Sequence, residues 1–174
     1  MGVPVEGRLS VGGFTEIVTA RFTRPADTTL YTANDVVSNG TTELLVFRNC
    51  ARFPGEGGLF DSALLFVSTD AATNPNFDLV LFDNKHVTLA ADNAAGTVTD
   101  AEALGIVAVI TFDGTTAANV STVGANLVIG ATAIVQRFKC AVGSRDLYGL
   151  TIDRGGYTPA SAEQFYFKLA IAQD

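Results

Sequence analysis

Tryptophan is absent from this chain, and histidine and methionine each occur once. A single histidine, His86, cannot build a multi-histidine zinc site. Without an indole, the broadest platform for stacking a sugar ring is missing. The two cysteines, Cys50 and Cys140, are too few for a disulfide scaffold. With no export signal a bridge is not expected, and each reads as a small buried hydrophobe. Basic residues are scarce too: 11 Lys and Arg stand against 18 Asp and Glu, for a formal net charge of −7. Their nearest approach to a cluster is Arg21 with Arg24, so direct nucleic-acid binding is not expected.

Long apolar runs are also missing. The longest, Leu104 to Phe112, is too short to cross a bilayer. The opening "MGVPVEGRLSVGG" has no apolar core of signal-peptide length, and Glu6 stands where a myristoylation signal wants Ser or Thr. The expectation is a soluble protein made in a cytoplasm, with no membrane contact.

What is present is period-two alternation. Hydrophobic residues make up 48% of the chain and charged residues 17%, which excludes the disordered class. In "TEIVTARFT", Val18, Ala20 and Phe22 share one face. In "FYFKLAIAQ", Phe165, Phe167, Leu169 and Ile171 share one, and Tyr148, Leu150 and Ile152 repeat the pattern. Leu44 to Phe47, Ala63 to Val67, Phe77 to Phe82 and Leu104 to Phe112 are apolar on both faces and read as central strands covered on two sides. Asn39-Gly40 and Asp113-Gly114 suit tight hairpins. "PGEGG" and "RGG" are glycine-rich loops, and "TDAEAL" and "SAEQ" each predict one short helical turn.

These signals predict an all-β protein: an antiparallel two-sheet sandwich, jelly-roll-like, of roughly eight strands. The expected core holds Phe22, Phe47, Leu65, Leu79, Leu81, Val107, Val109, Ile134, Tyr148, Leu150, Phe167 and Leu169. Residues 1–14 mix glycines with Val3, Val5 and Leu9 and show no period, which predicts a flexible N-terminal arm before a single domain over residues 15–174.

The segment "FTRPADTTLYTANDVV", residues 22 to 37, gathers Asp27, Asn34 and Asp35 among threonines. An EF-hand loop needs a central Gly and a terminal Glu, and neither occurs here. Pro25 ends a strand, and Asp27 and Asn34 are turn-capping types, so the residues read as a polar connection. His86 with Asp83 or Asp92 and some serine would complete a triad by count, but no Gly-x-Ser-x-Gly elbow accompanies them. Pairs such as Asp78 with Asp83, or Asp61 with Asp70, fit the scatter of an acidic chain. No catalytic residue, metal site or cofactor is therefore expected.

"RPADTTLYTANDVVSN" (Arg24 to Asn39) resembles a segment of small virion structural proteins of tailed bacteriophages. The resemblance continues through "FDLVLFDN" (Phe77 to Asn84), "ADNAA" (Ala91 to Ala95), "LYGLTID" (Leu147 to Asp153) and "YTPASAEQFYFKLAIAQD" (Tyr157 to Asp174). It departs in the glycine-rich arm and from Asp100 to Asn126. The resemblance implies a decoration or cement protein on the outer capsid surface, made in the host bacterial cytoplasm and bound across neighbouring major capsid protein subunits. A homo-oligomer, dimer or trimer, is expected, and the alternative is a tail- or fibre-associated module recognising host surface glycans. Contact residues expected on this basis are Val3, Val5 and Leu9 in the arm, Phe53 and Phe60 around a glycine hinge, and Asp27, Tyr31 and Asn34 in the long connection.

Overall fold

A computed structural model describes residues 14–41, 43–69, 74–85, 89–119, 127–131 and 134–174. Val3, Val5, Leu9 and His86 lie outside the described residues, so the arm and the histidine carry no structural account. The strands are β1 (Phe14–Thr23), β2 (Leu45–Phe47), β3 (Gly57–Val67), β4 (Phe77–Phe82), β5 (Ile106–Phe112), β6 (Ala118–Asn119), β7 (Leu127–Gly130), β8 (Gln136–Lys139), β9 (Leu147–Asp153) and β10 (Gln164–Gln173). One short helix, α1 (Asp100–Ala103), falls where "TDAEAL" predicts it. Thr99 and Glu102 close a capping box around its first turn.

The architecture is the expected all-β two-sheet antiparallel sandwich. One sheet runs β1-β10-β3-β7-β6 with β8 also on β3, and the other runs β2-β9-β4-β5. The pairing is nested: first strand with last, second with second-last, and inward from both ends, which is the wrap of a jelly roll. β7 and β8 lie end to end along β3, against Leu64–Val67 and Gly57–Phe60 respectively. That division, with the two-residue β6, raises the strand count above the eight expected.

Alternation places the core. β10 sits between β1 and β3, with Phe167 opposite Ala20 on one side and Leu65 on the other. Phe165, Phe167, Leu169 and Ile171 are fully buried. Phe167 meets Phe112 edge-on across the sandwich with centroids 5.7 Å apart, and Phe165 meets Phe77 at 5.2 Å. Each such pair adds about 0.5–1.5 kcal/mol beyond the area it buries.

Several expectations need correction. Of the four two-faced apolar runs, β4 is covered on both sides along its length, and the runs of β2 and β5 are so only at Leu44 and Ile106. The second cover of β4 is a smaller cluster of Val36, Phe82, Leu89 and Leu150 outside the four-stranded sheet, which also takes Tyr148. Tyr148 and Leu150 therefore pack there and not between the sheets. β5 is an edge strand, so Val109 is 51% exposed and Val107 only partly buried. β2 is likewise an edge strand, and β3 is central but presents Leu64 to solvent.

Neither expected hairpin forms. Asn39-Gly40 turns inside the β1–β2 connection, where Asn39 Oδ1 accepts the Thr41 N–H. Asp113 caps a 3-10 turn, its Oδ1 accepting the Thr115 N–H at 2.9 Å. "SAEQ" is no helical turn either: Ala162 has φ 54°, Glu163 is buried and Gln164 opens β10.

Candidate functional site

Arg24, one residue past β1, sends its side chain inward and is 2% exposed. Its Nε donates to the Tyr31 hydroxyl, and its Nη2 reaches Asp27 Oδ1 and Asp92 Oδ2, each at 3.2 Å. The Tyr31 hydroxyl donates in turn to Asp92 Oδ1 at 2.7 Å, and the Ser38 N–H donates to that same oxygen at 2.7 Å. The guanidinium also lies over the Tyr31 ring, 4.7 Å from its centroid. Burial works against the Arg24 charge, but Tyr31, Asp92 and Asp27 outweigh it and hold the guanidinium above its ordinary pKa. Burial, reinforced by Asp92, pushes the Tyr31 hydroxyl far up.

A second tyrosine–carboxylate pair adjoins the first. Tyr157 stacks on Tyr31 at 6.3 Å and donates its hydroxyl to Glu163 Oε2, while Thr69 Oγ1 donates to Glu163 Oε1. Glu163 is fully buried, and burial pushes its carboxyl up. The Glu163 carbonyl accepts the Arg24 N–H at 2.9 Å, joining the two pairs. Both tyrosine hydroxyls are enclosed, so neither offers a nucleophile or proton to solvent. The pairs tie β1, the 24–38 connection, the 91–95 segment and the approach to β10 into one end of the sandwich.

Beside them lies an unanswered group. Asp153 is fully buried, and neither carboxylate oxygen has a hydrogen-bond partner; nor has Thr151 Oγ1 on the same face of β9. Burial pushes the Asp153 carboxyl up to about 6, and Asp35 adds to the rise. Backbone N–H groups of Gly155, Tyr157 and Arg154 oppose it without reaching bonding geometry. Asp35 itself is satisfied, its Oδ2 accepting from the Thr32 N–H at 2.7 Å and the Thr32 hydroxyl at 2.9 Å. Among the described residues, no group of three or more His, Cys, Asp or Glu could hold a metal ion.

The expected contact residues separate on this frame. Asp27 keeps a half-exposed side chain and caps the turn through the Thr29 N–H at 3.0 Å. Tyr31 is wholly buried, which removes it as a contact residue. Asn34 adopts φ 74° and spends its backbone on Asp153 and Gly96, each at 2.8 Å. Phe53 is 54% exposed beneath the Arg52 guanidinium, but Phe60 is buried against Phe138 at 4.4 Å. The two phenylalanines therefore do not bracket a hinge: Phe60 belongs to the core because Gly57 and Gly58 already lie inside β3.

Sequence reasoning missed a surface. The outer face of the six-stranded sheet carries Leu64, Phe66 and Tyr166, with Tyr166 opposite Phe66 in register and edge-on to it at 5.7 Å. Phe66, Ser68, Gln164, Tyr166 and Lys168 line a shallow depression there of about 290 Å³. Arg21 lies over the Tyr166 ring at 5.6 Å, and the Tyr166 hydroxyl donates to Gln164 Oε1 at 2.7 Å. Its signal was the run "ALLFV", whose second apolar face no described residue covers at Leu64. No family model and no curated protein matches the chain.

Proposed function

We propose that this chain is a structural protein of a tailed-bacteriophage particle, decorating the outer capsid and cementing neighbouring major capsid protein subunits. The observation that carries the reading is the outer sheet face, where Leu64 is 43% exposed and Phe66 and Tyr166 are half-buried against each other on a well-packed sandwich. A rigid body with one partly apolar face suits a role that buries surface across a seam. The segments that resemble phage virion proteins contribute Arg24, Tyr31, Asp92, Asp153, Tyr157 and Glu163 to the buried end of the fold. They support a shared fold, and the role rests on the surface.

The test mixes purified protein with undecorated heads. Wild type is expected to bind and raise the temperature at which heads rupture. Leu64→Asp, at an exposed position, is expected to keep the melting temperature and lose occupancy. Heads that stay bare with wild type, or fill equally with the variant, would refute the reading.

The depression beside Tyr166 favours a second reading, a tail- or fibre-associated module for host surface glycans. It offers two rings, two hydroxyls, an amide and an ammonium group within one shallow site. Saturable binding of host oligosaccharides, abolished by Tyr166→Ala, would favour it over the capsid role.

A further inference from the structure

β1 borders the six-stranded sheet, and among the described residues no strand pairs with its outer side, although residues 38–39 and 43–46 adjoin it beside Ala20, Arg21 and Phe22 and the strand carries Glu16 and Arg21. The Arg24 N–H donates to the Glu163 carbonyl, continuing the β1–β10 ladder one residue beyond the Thr23–Gln164 pair. Antiparallel ladders alternate bonded and non-bonded pairs, so the even-numbered residues of β1 turn their backbone groups to β10. Thr15, Ile17, Thr19, Arg21 and Thr23 turn theirs outward. All five residues are exposed, and their outward N–H and C=O groups have no partner among the described residues. The register with β10 runs unbroken from Phe14 to Thr23, without a bulge, and the first proline after it is Pro25.

We infer that this edge pairs with the same edge of a second copy, antiparallel about a two-fold axis through Thr19. The outward residues read Thr-Ile-Thr-Arg-Thr. Reversal about Thr19 sets Thr15 opposite Thr23, Thr19 opposite itself, and Ile17 opposite Arg21. Threonine pairs are favourable across strands, and no like charges oppose each other. Ile17, 64% exposed in one copy, gains the aliphatic stem of Arg21 as cover. Moving the axis one residue either way leaves an end residue unpaired, so the Thr19 register uses the whole edge. The contact is self-complementary and closes at two copies, joining the six-stranded sheets edge to edge. It rests on the fold alone and not on the virion reading, so the two fail independently.

The test needs only the purified chain. Sedimentation over a wide concentration range is expected to show an equilibrium between the 18.2 kDa chain and its dimer. Amide exchange at Ile17, Thr19 and Arg21 is expected to slow as concentration rises. Thr19→Lys opposes two ammonium groups on the axis and should weaken the dimer on the order of tenfold, with a smaller cost to the monomer because it also faces Lys168 across its own sheet. Ile17→Glu puts a carboxylate opposite Arg21 of the second copy, twice per dimer, and should tighten it severalfold; this arm decides even if Thr19→Lys fails to fold. A monomer at every concentration, a trimer, or a dimer indifferent to the substitutions would overturn the inference.

Discussion

Asp153→Asn should make the protein more stable at neutral pH and less sensitive to pH. Asp153 is fully buried with both carboxylate oxygens unpartnered, and its pKa is pushed up to about 6. In the unfolded chain an aspartate titrates near about 3.9. The folded state therefore holds the proton more tightly. Its contribution to stability is fully present below about pH 4 and is lost as pH rises through about 6. The gap between those two pKa values sets a ceiling of about 3 kcal/mol, which water reaching this end of the sandwich lowers. An asparagine keeps the shape, never ionises and brings an N–H toward Thr151 Oγ1. Urea unfolding from pH 4 to 8, read as the difference between variant and wild type, cancels every carboxylate the two share. These include Asp27 and Asp113, whose pKa values are lowered by backbone N–H groups and act in the opposite sense. The variant is expected to gain about 1–3 kcal/mol above pH 7 and nothing near pH 4. Parallel pH curves, or a variant less stable at pH 8, would refute the account.

Three further outcomes are expected. Phe167→Ala should cost about 3–5 kcal/mol in urea unfolding through lost transfer energy and a cavity between the sheets. Asp92→Ala, which leaves the buried Arg24 charge with only the half-exposed Asp27 as its carboxylate partner, should cost about 3–5 kcal/mol, and Arg24→Met with Asp92→Leu together should cost less than the sum of the single changes. Burial pushes the Cys140 thiol up to about 11 and the Cys50 thiol higher still. Neither should react with a thiol reagent in the native protein, and both should react once urea unfolds it; rapid native labelling would show that the thiols are reached.

The parts of the fold legible in the sequence were those written in local periodicity. Phe165 to Ile171 announce a strand and its inner face, and Thr99 with Glu102 announces a helix start. Periodicity does not say what covers a second apolar face. "ALLFV" and "FDLVLF" look alike, yet segment 89–98 packs over β4 and nothing among the described residues packs over Leu64. The buried polar end was illegible for another reason. Arg24 and Asp92 are 68 residues apart, and a charged side chain reads as solvated until its partner is found. Tyr31 and Glu163 were misplaced with them, one as a contact and the other as part of a helical turn. The free edge of β1 was visible only after strand order was known.

The nested strand order has a consequence for how the chain reaches its folded state. β10 supplies the partner of both β1 and β3 in the larger sheet, and it emerges from the ribosome after every other strand of the sandwich. Until then β1 has no ladder to join and β3 is paired only on the side of β7 and β8, so their apolar faces wait in the nascent chain. Closing loops of that length before any pairing reward arrives makes folding slow and late. A chain cut before Gln164 would thus lack the strand that joins β1 to β3 in the larger sheet, and the longest-exposed strands would be those most prone to pair with a neighbouring nascent chain.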